Sequence, residues 1–137
     1  MGLGDPSYAL RWKIRMGDTG AVRNLIKAGE ADLMQPSKTL KEWTPLHIAC
    51  WGSIKPTSDK DLVEALLLWA QKSGKTNAMT SATDKDGFTP LDLAKQRRDA
   101  LAAATSANAN AEEGGAAVEA KRKYDKIIEW LEKGLPA

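Results

Sequence analysis

The six residues Thr44-Pro45-Leu46-His47-Ile48-Ala49 return 45 positions later as Thr89-Pro90-Leu91-Asp92-Leu93-Ala94. A chain that repeats itself on this scale is built from stacked copies of one small unit, and this limits the fold more than any other feature. Each copy reads as a helix start. Threonine is an N-cap whose hydroxyl accepts from the first free N–H groups, and proline fits the first helical position, where no donor is lost. The leucine and alanine then turn inward, the alanine letting a neighbouring helix approach.

A second pattern accompanies the first. Val22, Leu25, Ile26 and Gly29 share their spacing with Val63, Leu66, Leu67 and Ala70, and again with Ile127, Trp130, Leu131 and Gly134. Steps of three and four mark one face of a helix, and a glycine at the end of such a run stops it. The unit is therefore a helix pair, present three times. In the first pair Asp5 and Pro6 open a helix over Pro6 to Met16 with Leu10 in the place of Leu46, and Gly17-Asp18-Thr19 turns the chain into a second helix over Thr19 to Ala28. Terminal units commonly depart from the interior pattern.

TPLHIA, TPLDLA, the Asp84-Lys85-Asp86-Gly87-Phe88 segment before the second TPL, and Gly17-Asp18 followed by Val22, Leu25, Ile26 and Gly29 together resemble ankyrin repeats. The resemblance covers nearly the whole chain. It implies an all-α solenoid of three helix-turn-helix repeats with short β-turn fingers. Residues Arg11 to Asp18 also resemble the first repeat of small ankyrin proteins of the myotrophin type.

The whole chain, 1–137, is expected to be one ankyrin-repeat domain with repeats over about 5–38, 39–83 and 84–134. Insertions interrupt them. Leu46 to Val63 is five residues longer than Leu10 to Val22, which places extra chain at about 53–60. There Ser58 with Asp61 reads as a capping box for a helix over Asp61 to Lys72. A second insertion falls at about 73–83. Leu91 and Ile127 stand 36 residues apart, leaving a third at about 102–117. Its alanines could prolong the helix from Pro90, whereas Asn108, Asn110 and Gly114-Gly115 predict a break and a flexible crossing. Tyr124, Ile127, Ile128 and Leu131 form an inward stripe that closes the stack.

Composition excludes several kinds of chemistry. The single cysteine, Cys50, and the single histidine, His47, allow neither a disulfide nor a zinc site of the usual ligand set. No glycine-rich phosphate loop occurs, so no cofactor and no metal are expected. A net charge of +2 is too balanced for a nucleic-acid binder, and the longest apolar run, Ala65 to Ala70, is far too short for a membrane span. The opening residues lack the blocks of a signal peptide, and Pro6 stands where a myristoylation signal requires serine or threonine. A soluble, cytoplasmic chain, monomeric when alone, is expected. An enzyme built on Cys50 or His47 is the competing reading. The resemblance instead gives His47 a structural task, hydrogen bonding to backbone of the adjacent repeat, and Cys50 packs as a buried thiol. Asp92, in the matching place, can accept but not donate. Lys95 to Arg98 and Lys121 to Lys123 read as solvated faces.

Five tryptophans among eight aromatic residues are the unusual item. Trp69 and Trp130 fall among core leucines and are expected to pack, with Trp12 partly buried. Trp43 precedes TPL at the tip of a finger, Phe88 matches it in the next repeat, and Trp51 ends the first helix on its outer side. In ankyrin proteins, fingers and first helices form a concave surface that grips partners. By position, that surface here comprises Arg15, Met16, Lys41, Trp43, Trp51, Lys85, Asp86, Phe88, Gln96 and Arg97. The resemblance thus implies a non-enzymatic protein-interaction module, a small adaptor or accessory subunit docking on a larger protein assembly. A regulator like myotrophin, sequestering a cytoskeletal partner, is the alternative.

Overall fold

The computed structural model describes residues 6–38, 41–52, 58–107 and 111–134, with the side chains at 101, 102 and 104–121 outside the described set. Seven helices and no strand occur among the described residues: α1 (Pro6–Met16), α2 (Thr19–Ala28), α3 (Pro45–Trp51), α4 (Asp59–Ser73), α5 (Thr76–Ser81), α6 (Pro90–Ala107) and α7 (Ala111–Lys133).

The first pair forms where the sequence predicts it. Asp18 caps α2, its Oδ1 accepting from the Ala21 N–H at 3.1 Å, and Gly29 ends it in the left-handed region (φ 76°) with its N–H on the Ile26 carbonyl. Asp5, expected to open α1, lies outside the described residues. Helices α1, α3 and α6 pack side by side as one row, and α2, α4 and α7 as a second. Each member of the first row packs against its partner in the second. The two rows enclose a continuous core that includes Leu10, Ile14, Val22, Leu46, Ala49, Leu66, Ala94 and Ile127. No helix pair could hide its apolar stripe alone, so the stack is the smallest folded unit.

Three expectations need correction, on the Ser58 cap, the Gly114-Gly115 break and Trp12. Ser58 makes no side-chain cap, its backbone is helical (φ −92°, ψ −13°), and α4 starts at Asp59 instead of Asp61. The acid that matters there is Asp59, fully buried and accepting from the Tyr124 hydroxyl at 2.7 Å. The insertion at 73–83 contains a helix of its own, α5, whose Met79 is buried. The predicted break at Gly114-Gly115 is absent: α7 runs through both, flanked by alanine and glutamate, whose strong helix propensity offsets the glycines' cost of about 1 kcal/mol each. Asn108 and Asn110, like 53–57, lie outside the described residues. Trp12 is 51% exposed, because it shares with Tyr8 the side of α1 turned away from buried Leu10 and Ile14.

The closing stripe is as expected, with Tyr124, Ile127 and Ile128 buried and Leu131 half-buried. Trp130 is buried, and the Lys60 ammonium stands 5.6 Å from its ring centroid. Tyr124 reaches the far end of α3. A Cβ on Gly52 (φ 113°) would lie 2.9 Å from the Tyr124 hydroxyl and 3.3 Å from Asp59, so both backbone angle and space require glycine there. Burial raises the pKa of Tyr124, and the Asp59 charge and hydrogen bond add to it, so Tyr124 is a permanent donor. Taking one donor from a buried carboxylate leaves part of its desolvation cost unmatched, whatever other partners it keeps. Tyr124→Phe is accordingly expected to lower the unfolding free energy by about 1–3 kcal/mol in urea titrations. Tyr8→Phe, on an exposed ring, should change nothing measurable.

Candidate protein-binding groove

Two turns precede α3 and α6, and a small hydrogen-bond system holds them. Within the first system Thr44 caps α3: its backbone N–H donates to His47 Nδ1 at 3.2 Å, and the His47 N–H points back at Thr44 Oγ1 at 3.4 Å. The other ring nitrogen, Nε2, lies 2.8 Å from the Phe88 carbonyl oxygen. One nitrogen must accept and the other donate, which fixes the neutral Nε2–H tautomer. In α6 the same reciprocal cap recurs with Thr89 and Asp92, at 3.0 and 3.3 Å. Asp92 accepts like the imidazole but has no second group to donate onward.

The second system centres on Asp84. Its Oδ1 accepts from the backbone N–H groups of Asp86 (2.8 Å) and Phe88 (2.9 Å), which shapes the turn, and its Oδ2 accepts from the Trp43 indole N–H at 2.8 Å. The Lys85 N–H donates to the Lys41 carbonyl at 2.9 Å, a second direct bond between the turns. Burial alone would raise the Asp84 pKa, but the donors from Phe88, Trp43 and Asp86 win and hold it below the ordinary 3.8. For His47 burial wins: it lowers the pKa from 6.5, with the Phe88 carbonyl and Asp84 only partly opposing.

These turns wall a groove of about 400 Å³ floored by α3 and α6. Of the residues expected at the binding surface, Arg15, Lys41, Trp43, Trp51, Asp86, Phe88 and Gln96 line it together. Trp51 and Phe88 present the exposed rings, at 41% and 39%. Trp43 corrects the expectation of an exposed finger ring: it is 7% exposed, because Asp84 draws its N–H inward and Trp51 packs on it with centroids 5.8 Å apart. Arg97 is also turned away. Four residues after buried Leu93, it is half-buried, with Nε against Gly52 and without a hydrogen-bond partner. Met16 is half-buried outside the lining, and Lys85 is exposed at the tip of its turn. Ile48, Leu93, Asp84 and Gly52 complete the groove and were missed by sequence. The first two fill the variable place in the repeated hexamer, and the Asp-Lys-Asp-Gly segment was a visible turn signal for the third.

Cys50 is fully buried, and burial pushes its thiol up, with Asp59 adding to the shift. Both nitrogens of His47 are occupied. Among the described residues no group of His, Cys, Asp and Glu could hold a metal ion, and no helix is long and apolar enough to cross a membrane.

Residues 41–80 match the family model of the ankyrin repeat. No curated protein and no solved structure matches the chain. The matched segment holds the interior helix pair, α3 and α4, together with the cap and the histidine described above.

Two outcomes follow for the turns. Protonating Nδ1 would cost the Thr44 N–H its acceptor, so the folded state resists protonation that the unfolded chain accepts below about pH 6.5. The stability contributed by neutral His47 is complete above that pH and is lost as pH falls toward the lower folded value. Thermal melts from pH 7 to 5 should show this decline, and His47→Gln should lack it while being less stable at pH 7 by about 1–3 kcal/mol. Trp43→Phe keeps the ring but leaves Asp84 short of a donor. Chemical unfolding should record a loss of about 1–3 kcal/mol.

Proposed function

We propose that this chain, an all-helical solenoid carrying an ankyrin repeat, binds another protein through the groove between its two turns and serves as a small adaptor or accessory subunit of a larger assembly. Ankyrin repeats generally mediate protein–protein interaction and are typically non-enzymatic. The observation that carries the proposal is the gathering of seven expected surface residues around one groove, with Trp51 and Phe88 left exposed in it. Large aromatic side chains that close into a partner's pocket often dominate interface energy, each worth about 2 kcal/mol or more.

The groove's chemistry suits a mixed segment. Trp51 and Phe88 offer apolar contact over a floor of buried Ile48 and Leu93, Arg15 a cation, and Asp86 an acceptor, set on helices α1, α3 and α6 and on a turn already hydrogen bonded. Little needs ordering on association, so little conformational entropy opposes it. The neighbouring Lys41 ammonium lies 3.9 Å from Asp86, an exposed pair that a partner's own charge can separate at small cost.

Affinity capture from the native source, with wild type and Trp51→Ala/Phe88→Ala as parallel baits, tests the proposal. Trp51 covers one side of core Trp43, so the double variant should lose some stability while staying folded, which a melt of each bait checks before binding is compared. Its affinity for the principal retained protein should fall at least tenfold. Equal retention on both baits would overturn the groove as the binding surface. The size of the native complex then separates the roles: an accessory subunit co-elutes with its assembly at fixed stoichiometry, whereas a myotrophin-like regulator of a cytoskeletal partner elutes largely free.

A further inference from the structure

Helix α4 carries more apolar surface than the core uses. Leu62, Val63, Leu66, Leu67 and Ala70 occupy the buried side, as a helix between two rows requires. Ala65, Leu68 and Trp69 continue the apolar surface around the helix to a side that is left open among the described residues. Leu68 is 39% exposed, and Trp69, which packs against the core as the sequence predicted, is only half-buried by it. Together with Ile26 of α2 they floor a groove of about 380 Å³ between α2 and α4. This groove lies wholly on the second row of helices and shares no residue and no helix with the groove between the turns.

The rim is positive. Arg23 and Lys27 stand on the α2 side and Lys72 on the α4 side, all exposed, against one half-buried acid, Glu64. Three cations around an apolar floor complement a ligand that is apolar at its centre and anionic at its flanks. The walls are two helices whose backbone groups are satisfied internally, so no open edge invites an added strand. A valley between two helices instead accepts the side-chain ridge of a third. We infer that the α2–α4 groove is a second docking site, and that its occupant is an amphipathic helix of a partner protein with an aliphatic ridge flanked by carboxylates. A flat anionic bilayer fits less well, because Trp69 and Ile26 are recessed in a groove and Glu64 would face the lipid phosphates. Nucleic acid would leave the apolar floor unmatched.

The full chain can be titrated with a peptide of about 16 residues, long enough to form helix, bearing leucines at i, i+3, i+4 and i+7 and glutamates on both flanks. A counterpart with lysine for every glutamate serves as control. Amide and indole NMR shifts should change along α2 and α4 and at the Trp69 indole, with the acidic peptide binding at least tenfold more tightly than the basic one. Arg23→Glu/Lys27→Glu/Lys72→Glu should reverse that preference, and Leu68→Ala should weaken the acidic peptide several-fold. These positions are solvent-facing, and a melt of each variant checks that the fold persists. Trp51→Ala should leave this binding unchanged, which separates the inference from the proposal for the other groove. Equal affinity for the two peptides, shifts located elsewhere, no binding of the acidic peptide, or binding untouched by charge reversal would overturn it. So would tighter association with vesicles of anionic lipid than with the acidic peptide.

Discussion

The His47 imidazole bridges two structural units: Nδ1 takes the Thr44 N–H of its own helix, and Nε2 gives its proton to the Phe88 carbonyl of the next turn. No other common side chain accepts and donates at opposite ends of a rigid ring while neutral. Beside it, the Asp84 carboxylate gathers two backbone N–H groups and the Trp43 indole. A buried carboxylate is tolerated only when it is saturated with donors, so the turn before α6 and the indole before α3 are each other's condition. The two turns stand in fixed register because these two side chains leave few alternatives.

The binding groove is a by-product of that register. With Trp43 committed to Asp84, Trp51 packs on its ring and projects its remaining surface toward Phe88, whose backbone is held from both sides. Asp92 repeats the cap of His47 without its second, donating nitrogen. At the other end of the stack α1 is tied by different means, Arg11 on Gln35 and the Asp32 N–H on Ser7. The family match falls on the interior pair, where the histidine joins the two turns.

Helices α1 and α2 were legible to the residue, since their ends are marked by Pro6, Asp18 and Gly29, each of which acts within one turn of chain. The same locality made Thr44 and Thr89 readable as caps. Ser58 misled because a cap depends on where the acids point, and Asp59 points to Tyr124, 65 residues away. Trp43 misled for a related reason: its position at the turn was right, but its burial is decided by an Asp84 carboxylate that sequence pattern alone did not pair with it. Trp69 shows the converse, a ring that packs on the core as expected yet is left half open, because no described element covers its other side. Local signals were visible in the sequence, whereas of these partners far apart along the chain only the His47 bond to the next turn was expected, and that through the family resemblance.

If the turns are held as described, the groove exists before any partner arrives. Native-state hydrogen exchange at Lys85 and Phe88 tests this most directly, since the first amide donates across to Lys41 and the second to Asp84. Protection at both sites approaching that of the α3 and α6 core amides, and reduced at both by His47→Gln, is the expected result. Exchange at both amides near the rate of an unstructured chain in the wild type would mean that the turns open freely. A preformed groove would then be contradicted.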